Sequence, residues 1–177
     1  ELFVDDEIQE STSLTAVNSI NWARLIAQVV YYFWSYLQTD KHKINFIVPS
    51  GNFGNIFSAF VAKQMGLPIG HLHIATNSND ILKSIVDTGE MKKKSVSQTY
   101  SPSMDIQVSS NFERQIFESL NRDSKRVNEV FESFSSKGFY QFDDSVLAKF
   151  QQIYKASSID DSQTLETIKI VYEKYNY

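Results

Sequence analysis

The chain has 177 residues, 42% hydrophobic and 21% charged, the balance of an ordinary globular domain long enough to bury a core. A net charge of −4 and a pI near 5.4 argue against nucleic acid or an anionic membrane surface as partner. There is no cysteine, which removes disulfides, thiolate metal sites and thiol nucleophiles together, and His42, His71 and His73 are too scattered for a metal site.

Residues 1–13 are polar and acidic and read as a loop or short helix; nothing in them makes a signal peptide, so the default location is cytoplasmic. The chain opens Glu1-Leu2-Phe3 and closes Tyr175-Asn176-Tyr177, and both ends read as cut. From Asn18 to Leu37, apolar residues at Trp22, Leu25, Ile26, Val29, Val30, Phe33 and Leu37 follow steps of three and four, which predicts a helix. Ala23, Ala27, Tyr31, Tyr32, Trp34 and Tyr36 fill most of the remaining circumference, so this helix is expected to be buried nearly all round. Arg24, Gln28 and Ser35 interrupt it well short of the roughly 18 apolar residues of a membrane span.

Ile44 to Val48 suits a buried parallel strand, ending at Pro49 and running into a loop at residues 50–55. A helix from about Ile56 to Met65 follows, stopped by Gly66 and Pro68. His71 to Ala75 is the next strand, and Thr76 to Asp80 a turn whose Asn79 or Asp80 caps a helix to Val86. Strand, helix, strand, helix in quick succession predicts a parallel α/β sheet. Asp87 to Pro102 reads as a loop, with Lys92, Lys93 and Lys94 solvated. Beyond Ser109 helices are expected at Phe112–Leu120, Arg126–Phe134, Asp144–Tyr154 and Ser162–Tyr175, the last two capped by Asp143 or Asp144 and by Asp161 or Ser162. Residues 1–110 therefore read as α/β and 111–177 as a mainly helical continuation of the same domain.

The segment Pro49-Ser50-Gly51-Asn52-Phe53-Gly54-Asn55 is the most informative stretch. Between a buried strand and a helix, backbone N–H groups point outward unpaired and the positive helix end adds to them, which makes an anion cradle. Gly51 and Gly54 are expected to give the backbone positive φ and close approach to a ligand, while Ser50, Asn52 and Asn55 add side-chain donors. Tight packing alone also explains glycines at such a turn, and both readings stand on spacing. Neither the G-x-x-x-x-G-K-[ST] pattern nor the third glycine of the dinucleotide fingerprint is present, so a small phosphorylated cofactor fits better than a nucleotide.

Val48 to Asn55 resembles the phosphate loop of the threonine synthase family, enzymes dependent on pyridoxal phosphate (PLP). Three further segments match in order: Asn18-Ser19-Ile20-Asn21-Trp22-Ala23-Arg24 through Gln28, Ala75-Thr76-Asn77-Ser78-Asn79-Asp80, and Ser101-Pro102-Ser103-Met104-Asp105-Ile106 with Ser109-Ser110-Asn111-Phe112-Glu113-Arg114. The resemblance implies the tryptophan-synthase-β-like fold, with this chain an incomplete, central part of the PLP domain. It implies a lyase that converts O-phospho-L-homoserine and water to L-threonine and phosphate. Gly51, Asn52, Phe53, Gly54 and Asn55 would then hold the cofactor phosphate. The family's Schiff-base lysine sits in an S-F-K-D-like context found nowhere here, so no catalytic residue is assigned in this chain and it is expected to be inactive alone. Its partners would be the remainder of the same enzyme chain and the substrate, as monomer or homodimer.

The strip Asn21, Arg24, Gln28 and Ser35 shares one face of the long helix. An arginine on an otherwise buried helix needs an anionic partner. Substrate phosphate or carboxylate is one such partner for Arg24, with Asn21 beside it, and a structural ion pair is the other. Asn18 and Asn21 touch ligand or cap the helix. Rival functions are another PLP lyase of the same fold, a catalytically lost binding or regulatory relative, and a phosphate-binding α/β domain without PLP.

Overall fold

A computed structural model describes residues 6–12 and 20–176, so Asn18 and Ser19 lie outside the described residues. The described elements are α1 (Asp6–Ser11), α2 (Trp22–Leu37), β1 (Ile44–Pro49), α3 (Gly54–Gln64), β2 (Ile69–Thr76), α4 (Ile81–Thr88), β3 (Glu90–Lys92), a 3-10 turn (Pro102–Met104), α5 (Phe112–Ser119), α6 (Ser124–Lys137), β4 (Phe139–Gln141), α7 (Asp144–Ile153), β5 (Tyr154–Ser158) and α8 (Asp161–Tyr175).

The main sheet runs β1-β2-β5, and both pairings are parallel. In register, Phe46 faces Leu72, Leu72 faces Tyr154, and Thr76 faces Ser158. All three strands therefore end on one edge, and the loops after β1 and β2 and the entry to α8 gather there. A second, antiparallel pair joins β3 to β4. The segment read as helical thus returns strands to both sheets. The sequence reading misses β3, β4 and β5 because each has five residues or fewer and β5 follows α7 without a break.

Successive side chains alternate across a strand. On β2, Leu72, Ile74 and Thr76 are buried, under α3, α4 and α7, whereas His71 and His73 lie on the opposite, open face. There His73 Nε2 sits 2.8 Å from Ser157 Oγ. The expectation that Ile44 to Val48 is buried holds only for Val48; Ile47 is 73% exposed. The long helix departs from expectation in the same way. On α2 only Leu25, Val29 and Tyr32 are fully buried, while Ile26, Val30, Trp34 and Leu37 face outward. Parallel sheets are normally covered on both faces. Among the described residues the covering helices supply one.

The core is largely aromatic. Phe112 and Phe142 flank Phe150 with ring centroids 5.6 and 5.3 Å away, and Phe53 meets both Phe112 and Tyr154 edge to face. Helix starts follow side-chain capping: Asp123 accepts from the N–H groups of Lys125 and Arg126, Asp143 from Val146, and Asp160 forms a reciprocal box with Gln163. The α8 cap is thus one residue earlier than the sequence suggests. Asp80, expected to cap α4, makes no side-chain cap bond and pairs with Lys94 at 2.7 Å, so one of the three lysines is not simply solvated.

Tyr154, expected to end a helix, opens β5 instead. Its ring is 1% exposed, and its hydroxyl donates to Gln115 Oε1 at 2.6 Å while Gln115 Nε2 donates to Ser119 Oγ. Burial pushes the phenol well above its ordinary pKa, so it remains a donor. Tyr154→Phe keeps the ring and leaves Gln115 Oε1 without its donor. Urea denaturation of the protein is expected to register a loss of about 1–3 kcal/mol, and an unchanged midpoint would contradict this role.

Candidate functional site

The loop between β1 and α3 is the centre of the site. Ser50 is fixed first: its N–H donates to the carbonyl of Ala75 on β2, and its hydroxyl to Val48 O, both at 2.9 Å. Ser50 Oγ is therefore occupied inside the fold rather than offered to a ligand.

The positive φ expected at the glycines falls elsewhere. Phe53 takes it, at φ 64°, as the residue preceding α3, while neither Gly51 nor Gly54 is left-handed. Gly51 is needed for space. A Cβ there would stand 3.0 Å from Ile106 Cδ1, 3.3 Å from Met104 Cα and 3.4 Å from Ser103 O. The close approach is thus to the 3-10 turn and its neighbours. Phe53 itself is 1% exposed, so its side chain belongs to the core and only its backbone can meet a ligand.

The turn at Phe53 leads directly into α3. The N–H groups of Gly51 through Ile56 donate to no acceptor among the described residues, and α3 begins at Gly54. Six consecutive donors at the positive end of a helix suit an anion. The Asn52 and Asn55 side chains are exposed beside them. Helix α3 starts two residues earlier than the sequence suggests, which brings Gly54 and Asn55 into its first turn.

The loop is held from three sides. Asn52 O accepts from both the N–H and Nδ2 of Asn111, each at 3.1 Å, and Asn52 Oδ1 accepts from Ser110 Oγ at 3.3 Å. From α2, the Tyr32 hydroxyl donates to Asn55 Oδ1 and lies 3.1 Å from Asn55 O. Tyr32 is 5% exposed, and burial raises its pKa far beyond neutrality, so it stays protonated. Beyond β2, Asn77 Nδ2 and Asn79 Nδ2 donate to Asp105 Oδ1 at 2.7 and 3.0 Å. A chiefly backbone bond from Thr99 N–H to Asp105 Oδ2, with help from the Thr99 hydroxyl and Asn77, holds that carboxyl below the usual carboxylate pKa.

The two other residues named from sequence stand apart from this network. Asn21 caps α2, its Oδ1 accepting from Ala23 N–H at 3.0 Å. Arg24 is exposed, so the argument from a buried arginine is overturned: α2 is not enclosed, and no desolvation demands an anion at Arg24. None of the loop's described hydrogen bonds reaches either residue. Arg114 ties α2 to the site instead, donating to Ile20 O at 2.8 Å and lying 5.4 Å from the Trp22 ring centroid. Tyr32, Asp105, Asn111 and Arg114 were not assigned roles from sequence. Three lie in or beside the matching segments, which was their only signal, and Tyr32 was hidden in an aromatic run.

The four sequence segments are thus physically joined. The comparisons agree. The chain is 42% identical over 172 residues to the threonine synthase of Pseudomonas aeruginosa, covering 96% of this chain and 37% of that protein. A PLP-bound threonine synthase structure from Brucella melitensis matches with a TM-score of 0.94 at 42% identity, over 99% of this chain and 38% of that one.

The chain is a homologue of the threonine synthases.

The yeast threonine synthase structure matches with a TM-score of 0.91 at 41% identity, over 98% of this chain and 36% of that one. No protein-family model matches the chain. It spans a little over a third of the length of the threonine synthases it matches, and its α/β fold is that of the corresponding part of their structures. Among the described residues no helix is long and apolar enough to cross a membrane, and no cluster of three or more His, Asp or Glu could hold a metal.

Gly51→Ala tests the tight joint. The added methyl must displace Met104 and Ile106, and overpacking of this kind costs about 1–3 kcal/mol. Thermal denaturation is expected to reveal that loss; a variant as stable as the parent would mean the loop and the 3-10 turn are not closely packed.

Proposed function

We propose that this chain is the cofactor-phosphate segment of a threonine synthase, a lyase making L-threonine and phosphate from O-phospho-L-homoserine and water. The observation that carries the proposal is the run of N–H groups from Gly51 to Ile56, at the start of α3, that have no acceptor among the described residues. That run fits the phosphate of PLP. Its donors are backbone amides, it sits at the C-terminal edge of a parallel sheet where such folds bind ligands, and no carboxylate lies within residues 49–56 to repel the anion.

In this reading Gly51, Asn52, Phe53, Gly54 and Asn55 hold the phosphate through their backbone, with Asn52 and Asn55 adding exposed side-chain amides. Bound there, PLP would supply an electron-withdrawing ring to the substrate. The residues of this chain bind and orient it: Tyr32 fixes the first turn of α3, and Asn111 turns the Asn52 carbonyl away from the anion. Asn21 and Arg24 are proposed as substrate contacts from the first turn of α2, which packs on α3. The lysine that bonds to the cofactor would come from outside this chain.

Residues 1–110 would be the central part of the PLP domain and 111–177 its continuation; the return of β5 to β2 and of β4 to β3 supports one common domain. The remainder of the longer enzyme would cover the open sheet face at Ile47 and His71 and the outer face of α2. Their exposure supports that partner, since apolar area of this kind is normally withdrawn from water.

The test is an assay of the full-length parent for threonine and inorganic phosphate from O-phosphohomoserine. Equal amounts of both are expected. A parent that binds PLP but makes neither product would leave a binding or regulatory relative, and one that does not bind PLP would refute the cradle.

A further inference from the structure

Asp105 stands at the junction of three loops at the strand ends. Its carboxylate accepts four hydrogen bonds: from Thr99 N–H at 2.9 Å, Thr99 Oγ1 at 2.7 Å, Asn77 Nδ2 at 2.7 Å and Asn79 Nδ2 at 3.0 Å. Asn77 and Asn79 follow directly on β2, and Asn77 O also accepts from Ser158 Oγ at the end of β5. Asp105 therefore fastens its own segment to the edge of the sheet.

The residues on either side of Asp105 are those that press on the phosphate loop. Met104 and Ile106 close the space beside Gly51, and five residues beyond Ile106, Asn111 holds the Asn52 carbonyl with two donors. The segment 103–111 is a strap beside the loop, pinned by Asp105 near its start and by Asn111 at its end. Four donors converging on a carboxylate need it ionised, and their bonds favour that state.

We propose that Asp105 is a positioning residue that fixes the phosphate loop through this strap, and so sets the affinity for the phosphate group of the cofactor without touching it. This rests on the loop being the PLP-phosphate cradle. The phosphate specificity is the distinguishing consequence. Loosening the strap lets Gly51 and Asn52 drift, and their N–H groups lose aim at the anion, whereas the rest of the cofactor is held elsewhere.

The experiment compares full-length protein with Asp105→Asn, each freed of cofactor, in titrations with PLP and with pyridoxal, which lacks the phosphate. Asp105→Asn places an NH2 donor among four donors that need acceptors. The dissociation constant for PLP is expected to rise about tenfold or more, the size of effect that supporting partners have at metal sites, while that for pyridoxal changes less than about twofold. Thr99→Val removes one donor to Asp105, together with the acceptor that Thr99 Oγ1 offers Asn77 Nδ2 and Ser101 N–H, and keeps the charge; it is expected to produce a smaller rise in the same sense, and it carries the test if Asp105→Asn does not fold. Equal weakening of PLP and pyridoxal, or unchanged PLP affinity, would overturn the proposal and leave Asp105 a residue of general stability. An unsubstituted protein that binds PLP no better than pyridoxal would overturn the cradle itself, and this inference with it.

Discussion

The joint between β1 and α3 depends on where the Phe53 ring goes. A non-glycine residue in the left-handed region costs about 1–2 kcal/mol, and full burial of a phenylalanine side chain contributes about 1.5–3 kcal/mol. The ring is 1% exposed between Phe112, which opens α5, and Tyr154, which opens β5. Burial therefore sustains the strained backbone. The turn into α3, whose first N–H groups have no acceptor among the described residues, thus follows from the core rather than from glycine flexibility.

Around that joint the polar contacts form a second layer. Ser50 ties the loop to β2, Tyr32 ties the first turn of α3 to α2, and Asn111 ties Asn52 to the start of α5. The Tyr32 and Asn111 bonds occupy acceptors of the loop and of the first turn of α3, whereas Ser50 donates its N–H to Ala75 O on β2. The N–H groups of Gly51 to Ile56 remain without an acceptor among the described residues. With the bonds from Arg114 to Ile20 O and from Asn77 to Asp105, those of Ser50 and Asn111 connect the four sequence segments that carry the family resemblance, although these are spread from Ile20 to Arg114 along the chain. Their residue types are explained by one another: Asn77 and Asn79 need the acceptor at Asp105, and Gly51 needs to be small beside Ile106.

Much of the fold was legible in the sequence because periodicity and punctuation are local. The 3.6-residue spacing of α2, the Pro49 end of β1 and the Gly66 stop after α3 required no tertiary knowledge. The short strands β3, β4 and β5 were not legible, since three to five residues carry too little pattern and their pairing partners are distant in sequence. For the loop, position and residue type pointed to an anion. The conformational detail did not follow, because whether Phe53 or a glycine bends left is decided by where an aromatic ring can be buried. The exposure of Arg24 was invisible for a related reason: apolar composition says which faces of α2 seek cover, not which cover this chain provides.

The open face of the sheet and the outer face of α2 expose apolar side chains, among them Ile47, Val30 and Trp34. The anion cradle stands or falls on the amides of Gly51 to Ile56. Inorganic phosphate titrated into the cofactor-free full-length protein, followed by the amide resonances of Gly51 to Ile56, tests them most directly. The account predicts that these six shift together with a single saturation curve, and that residues of the open sheet face such as His71 do not follow it. Saturable shifts confined to other residues, with Gly51 to Ile56 unmoved, would contradict it.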